Sequence, residues 1–360
     1  MNTTLKNIVR LIVGGRRYDY LMYCRHHRML MRLNGFANRH ADGEEAYVAK
    51  WSRLAKHVEP YSYRLFSHYC GPTPDIVPEN ILHDVVEKAL SPMQYWEEYE
   101  DKNNFARVVG AEWLPQTVAS CQHGILQGSL DRLADSPFQS LILKASTGTS
   151  CGKGILKFNR VGERYVASDG RELAAVLQSY GDDYVLQECV EQHPFLARFN
   201  ASSVNTIRIA TYRSPSDGQV HLTAAVLRIG CDGSWVDNIM AGGRFVAVDV
   251  ATGCLGNTAF ARKGIPSAVW NGIDFASESM TVPHWDEICR LAVHVGERLS
   301  QARLAALDIA LRADGRPVLI EYNIGGFSSY LFHFTGQTLF GPYTDEVIDY
   351  CSIPQAPALR

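Results

Sequence analysis

The spacing of apolar and polar positions changes character near residue 140. Before it, apolar residues recur at helical intervals. LKNIVRLIVGG ends at a glycine pair, a helix stop. YDYLMYCRHHRMLMRLNG runs to Asn-Gly, and AYVAKWSRLAKHV is a third helix candidate. GPTPDIVPENI (71–81) breaks helix with three prolines and leads into short mixed elements over 75–135. After 140, alternation takes over. Strands are predicted at 141–145 and 154–160, and YVASDGRELAAVLQSYG reads as a turn and a short helix. YVLQECV, TIRIATYR, HLTAAVLRIG and RFVAVDV read as strands from their β-branched and alternating content. Residues 284–300 place Ile288, Leu291, Ala292, Val295 and Leu299 on one helical face. LAALDIAL, a turn at Asp314-Gly315 and RPVLIEYN complete a hairpin. The class is α+β, with no internal repeat.

Composition bounds this picture. A chain of 360 residues, 46% hydrophobic and 20% charged, can bury a core in two or three lobes. No apolar run reaches the ~20 residues that span a bilayer, and no signal peptide is expected at the N-terminus. Nine cysteines lie singly without a CxxC pair, which suits reduced cytosolic thiols rather than a disulfide framework or zinc site. The expected location is the cytoplasm, or the cytoplasmic face of the inner membrane. Net charge is −3, yet residues 1–40 carry eight Lys/Arg against Asp19 alone, a local surplus of seven positive charges. The basic helices there interleave LIV, YLMY and MLM with arginines. They read equally as a membrane-surface or partner-docking segment and as a pair packed on the body with arginines outward. His26 and His27 are expected on solvated surface. No aromatic stacking platform marks a nucleic-acid partner.

The candidate chemistry lies in the final hairpin and in one loop. Asp308 sits in the first strand, while Glu321 and Asn323, two apart in the second, share a face. Two carboxylates and an amide oxygen suit Mg²⁺ beside phosphates; on an exposed edge hairpin the same acids would be inert. In LILKASTGTSCGKGILKF (141–158), Lys144 ends a strand, and Gly148, Gly152, Lys153 and Gly154 share a loop. Glycine permits positive φ and close backbone approach, and small hydroxyls add donors, so the loop suits phosphate oxygens. It is not a Walker A loop, because Gly154 stands where a hydroxyl residue is needed, nor is it GxGxxG. There is no kinase HRD or DFG set.

Taken in order over residues 101–323, these motifs resemble the ATP-grasp superfamily, which includes glutathione synthetase and D-alanine–D-alanine ligase. The resemblance implies that Lys102, in Asp101-Lys102, is the first ATP-contacting lysine and that Lys144 is the second, on the α/β-phosphates. Residues 148–154 would be the lid. YVLQECVEQ (184–192) would be the adenine hinge, centred on Glu188, Cys189 and Val190, with Glu191 or His193 on the ribose. Arg208 in NTIR and Arg228 in AAVLRIG would lie near the γ-phosphate. WVDNIMAGG would supply Asn238, Gly242 and Gly243, and Asp308, Glu321 and Asn323 would bind metal. SVNTIRI, RIGCDGSWVDN and IEYNIGG most resemble the sugar-transfer-associated branch, linked with bacterial polysaccharide genes.

The implied fold is two α+β lobes gripping ATP. The expected divisions are a basic helical region (1–70), a substrate lobe (71–135), a small lobe with the lid (136–183) and a large lobe with the Mg²⁺ site (184–350). The implied activity is an ADP-forming carboxylate–amine ligase working through an acyl phosphate. ATP and one or two Mg²⁺, with Mn²⁺ as a substitute, would be its cofactors. An amino acid and/or an amino sugar would supply the carboxylate and amine, in polysaccharide or cell-surface glycan or peptide biosynthesis. A lipid-linked sugar could engage the basic N-terminal helices. The alternatives are a kinase acting on a hydroxyl and a nucleotide-binding accessory protein of a membrane-associated glycan pathway. No general base stands out; His333, His284 and Asp237 are candidates, each more readily structural, and Cys151 reads as a plain loop residue.

Overall fold

The structure is a computed structural model that describes residues 15–128, 130, 133, 136–148, 154–231, 233, 239 and 242–353. Residues 5–14 of the first candidate helix lie outside them.

Helices Gly15–Leu33, Glu44–Trp51 and Tyr61–Cys70 open the described chain. The first holds on by one face: Cys24, His27, Leu30 and Met31 are buried, while Arg17, Arg25, Arg28 and Arg32 point to solvent. The packed alternative is therefore the one observed for this helix. An apolar side chain removed from water contributes about 1.5–3 kcal/mol, so Leu30 and Met31 outweigh the modest helix propensity of a segment this rich in aromatics and histidine. His27 departs from its expected surface position. It is fully buried, with Nε2 at 2.8 Å from the Tyr330 hydroxyl and Nδ1 at 3.2 Å from Glu59. The apolar periodicity of the neighbouring residues carried it inward.

The strands form two main antiparallel sheets. β1 (Thr117–Gln122), β2 (Ile125–Gly128), β3 (Ser140–Ala145), β4 (Leu156–Val161), β5 (Arg164–Ala167) and β6 (Tyr184–Glu188) join in the order β2-β1-β6-β3-β4-β5. β7 (Thr206–Arg213), β8 (Val220–Ile229), β9 (Arg244–Val248), β10 (Leu255–Ala261) and β11 (Pro266–Ser267) belong to the second. β12 (Val269–Trp270) and β13 (Ile273–Asp274) pair with each other alone. β14 (Leu304–Leu311) and β15 (Pro317–Asn323) finish the second sheet, in the order β11-β10-β9-β8-β7-β14-β15.

The first sheet crosses two of the expected divisions. β1 and β2 fall before 136 and β6 falls after 183, yet all three pair within it. Hydrogen bonding decided this: β6 sits between β1 and β3 and satisfies both, although the three are far apart in sequence. The helix Trp285–Arg298 packs Ile288, Leu291 and Val295 on one face of the second sheet, against Ile207, Ile209 and Leu307. The N-terminal helices cover the other face, where Ala210, Val226 and Ala306 meet Leu30, Trp51 and Phe66. Cover on both faces explains why every residue of β14 is buried and why its sequence is almost continuously apolar.

Candidate active site

Strand register assembles the centre. Asp308 on β14 is paired with Arg208 on β7 on one side and with Glu321 on β15 on the other. The Arg208 Nε and Nη2 donate to the two Asp308 oxygens at 2.7 Å each, and the Arg228 Nη1 donates to Oδ2 at 2.6 Å. Asp308 is 4% exposed. Burial would push its pKa up, but the two guanidinium groups hold it down at about 2. A carboxylate offers about four acceptor positions, and these bonds take three. Asp308 thus first fixes two arginine forks and keeps one lone pair on Oδ1.

Two lysines reach this centre, Lys144 from β3 of the first sheet and Lys102 from a short turn ahead of β1. The Lys102 Nζ lies 2.9 Å from the Glu321 Oε1. Asp101 accepts from the Asn103 N–H at 2.9 Å, capping the short turn that carries Lys102, and the Lys102 N–H donates to the Ser146 carbonyl at 3.1 Å. The Lys144 Nζ donates to the Ile320 carbonyl of β15 at 3.4 Å, bridging the sheets. Burial, and secondarily the Lys102 charge, push the Lys144 pKa down to about 8, with Glu321 opposing.

Beside these groups lies a cavity of about 240 Å³. Trp96, Glu97 and Glu100 form one wall, Lys102, Thr147 and Gly148 another, and Glu321, Tyr322 and Asn323 the floor. Glu100 accepts from the Ile324 N–H at 2.9 Å. Burial raises its pKa, the backbone donors of Ile324 and Gly325 oppose this, and Glu321 adds to the rise. Trp96, Glu97, Glu100 and Thr147 were not singled out from sequence. The available signal was the acid-rich run WEEYE just before Asp101-Lys102.

The hinge threads from one sheet to the other. The Cys189 N–H donates to the Ser140 carbonyl at 2.9 Å, and the His193 N–H donates to the Leu311 carbonyl at 2.8 Å. The Ala313 N–H donates to the Glu191 carbonyl at 2.8 Å. Glu188 accepts from Arg312 at 2.5 Å and from the Gln116 N–H at 2.7 Å. Burial would raise its pKa, but the Arg312 guanidinium lowers it. The Val190 side chain packs on Ala310 and Val318. The His193 ring caps a helical turn, accepting from the Phe195 N–H at 3.1 Å, and stands 5.9 Å from the His284 ring.

Gly148 (φ 70°) and Gly154 (φ 77°) flank the glycine loop in left-handed backbone. Gly152, Lys153, Cys151, Asp237 and Asn238 lie outside the described residues. Gly242 and Gly243 offer their carbonyls to Arg244. Neither His284 nor His333 lines the cavity. His333 is fully buried, which pushes its pKa down to about 4.

Asp308, Glu321 and Asn323 supply oxygen donors only, the chemistry a hard divalent cation takes. Among the described residues, no three His, Cys, Asp or Glu side chains are grouped to hold a metal ion. The amide of Asn323 would therefore have to serve, with non-protein oxygens completing the shell. With that provision the donor set fits Mg²⁺.

Two sheets that approach along β15, with Lys144 of one reaching the Ile320 carbonyl of the other and Lys102 meeting Glu321, define an ATP-grasp fold. The chain belongs to the sugar-transfer associated ATP-grasp family, whose sequence profile matches residues 84–338. No curated protein sequence matches it. Among solved structures it is similar to an L-amino acid ligase from Bacillus licheniformis, at 14% identity and a TM-score of 0.41 over 70% of this chain and 48% of that one. It is also similar to a D-cycloserine synthetase, at 12% identity and a TM-score of 0.40 over 73% and 72%. A D-alanine–D-alanine ligase from Bacillus anthracis matches at 14% identity and a TM-score of 0.36 over 65% and 59%. The chain thus spans about half the length of the first of these.

Proposed function

We propose that this protein is an ATP-dependent, ADP-forming ligase that joins a small-molecule carboxylate to an amine through an acyl phosphate, in the synthesis of a bacterial polysaccharide or surface glycan. The observation that carries the reading is the gathering of Lys102, Lys144, Arg208 and Arg228 around Asp308 and Glu321 on paired strands, with Lys102 and Glu321 lining a cavity. The two lysines and two arginines supply the positive charge that a triphosphate would meet. Nucleotide storage alone has no need of arginines clamped at this depth. Phosphoryl transfer depends chiefly on positioning and charge neutralisation.

The geometry supports the following roles. Asp308 holds both arginine forks, which bring their charge toward the transferring phosphoryl. Lys102 can exchange Glu321 for a phosphate oxygen, and Lys144 adds charge in a poorly solvated position, where it acts more strongly. Asp308, Glu321 and Asn323 would hold Mg²⁺, which when bound neutralises phosphate oxygens. The substrate carboxylate oxygen attacks the γ-phosphorus, the bond to the β–γ bridging oxygen breaks, and ADP departs. The amine then displaces phosphate from the acyl carbon. Glu100, on the cavity wall with a raised proton affinity, is suited to take the proton the amine loses.

The test is an ADP-release screen of amino acids and amino sugars with hydroxylamine present. A hydroxamate appearing in step with ADP supports the reading. AMP release would mean adenylation, and phosphate recovered on a hydroxyl would mean a kinase; either result overturns it.

A further inference from the structure

We infer that the outer face of helix Gly15–Leu33, with the turn holding Arg262 and Lys263, is a docking surface for an anionic lipid bilayer. Arg17, Leu21, Arg25, Arg28 and Arg32 follow one another at intervals of four, four, three and four residues, which puts them in one stripe. From Arg17 to Arg32 the stripe runs about 22 Å, at 1.5 Å per residue. All four arginines are exposed. Among the described residues, none of them makes an ion pair with an acid. Asp19, the helix's one acid, lies two residues from Arg17 and so on the far side.

Large apolar side chains accompany the charges. Leu21 is 45% exposed, Met29 36% and Leu33 48%. The Asn34 side chain, just past the helix end, donates to the Lys263 carbonyl at 2.8 Å, which fixes the exposed Arg262 and Lys263 beside the stripe. Exposed Ile265 follows on the same turn. The helix is held in place by its other face, which is buried against Tyr61–Cys70 and Tyr330.

Charge complementarity selects the occupant. Residues 1–14 carry Lys6 and Arg10 and no acid, so the sequence ahead of the helix adds positive charge and supplies no acid to neutralise the stripe. A linear row of arginines with apolar side chains between them suits a plane that has anionic headgroups and an apolar layer beneath. A nucleic acid would use the arginines but leave Leu21, Met29 and Leu33 idle. No described helix is long and apolar enough to cross a membrane, so the contact is one of lying on the surface.

The experiment is co-sedimentation of the full chain with vesicles of phosphatidylcholine alone or with added phosphatidylglycerol, at low and high salt. Binding is expected only to the mixed vesicles and should weaken with salt. A basic side chain near an anionic surface is worth about 1 kcal/mol, about fivefold, so the R25Q/R32Q variant should lose about 25-fold in partitioning. R262Q/K263Q, on a separate element, should lose a similar amount, so a folding defect in the helix variant would not settle the matter. L21S/L33S should weaken vesicle binding yet leave heparin binding unchanged. Equal partitioning to both vesicle types, no partitioning to either, or insensitivity to the arginine variants overturns the proposal. So does tighter binding to duplex nucleic acid, indifferent to L21S/L33S.

Discussion

At the residue scale the centre is poised rather than relaxed. Lys144 folds with a pKa near 8 against an ordinary 10.5. Between those values the unfolded chain binds the extra proton, so the contribution of Lys144 to stability rises with pH through that window. Lys144→Met should therefore stabilise the fold, by about 1–2 kcal/mol at pH 7, and the gain should shrink by pH 10. The same variant should weaken binding of a non-hydrolysable ATP analogue by about 1.5–3 kcal/mol. Chemical denaturation and calorimetry read the two effects. In the wild type, nucleotide affinity should decline as pH rises past 8, because a neutral Lys144 must regain its proton to meet phosphate. Glu321 is a third exposed and, among the described residues, pairs only with Lys102, so Glu321→Gln should leave the unfolding temperature nearly unchanged. Steady-state assays should nonetheless show its turnover reduced about 100-fold or more.

Single elements hold these residues in place through buried polar contacts. The loop after Asn323 is tied down by Glu79, whose Oε1 accepts from the Ser328 hydroxyl, the Ser329 N–H and the Ser329 hydroxyl. His83 lies 2.9 Å from Glu79 and 2.8 Å from Glu87. Burial would depress its pKa, but these two carboxylates raise it to about 10. A raised histidine pKa stabilises fully below about 6.5, and the contribution is lost as pH climbs to 10. His83→Gln should accordingly cost more stability at pH 6 than at pH 10, as urea titrations at the two pH values would show. A helical residue outside the cavity lining thus helps hold the loop that follows the strand carrying Asn323.

Across the whole molecule, function depends on the two sheets keeping their relation. Lys144–Ile320 and Arg312–Glu188 link them, and Lys102, from the turn ahead of β1, pairs with Glu321 of β15. Arg312 stands at the hairpin turn and holds the hinge strand β6, away from the cavity. Arg312→Ala should loosen the hinge, raising the KM for ATP about tenfold, with a stability loss of roughly 1–3 kcal/mol. Because Arg312 lies apart from the candidate phosphate-binding groups, kcat should change less than KM. Initial-rate kinetics at varied ATP separate the two.

The sequence alone determined the α+β class, the final hairpin with its turn at Asp314-Gly315, and the apolar face of the helix near 284–300. It also determined the order of motifs that marks the ATP-grasp family. These are local properties: alternation, helical spacing, turn chemistry and short signatures. Tertiary structure decided the rest. It placed β6 between β1 and β3, because hydrogen bonds between distant strands leave no local trace. It turned His27 inward, since the pairing of an imidazole with Glu59 and Tyr330 is invisible along the chain. It gave Asp308 two arginine partners, because cross-strand register, not sequence distance, brings residues 208, 228 and 308 together. And it put Trp96, Glu97 and Glu100 on the cavity wall, where only the meeting of two sheets creates a cavity at all.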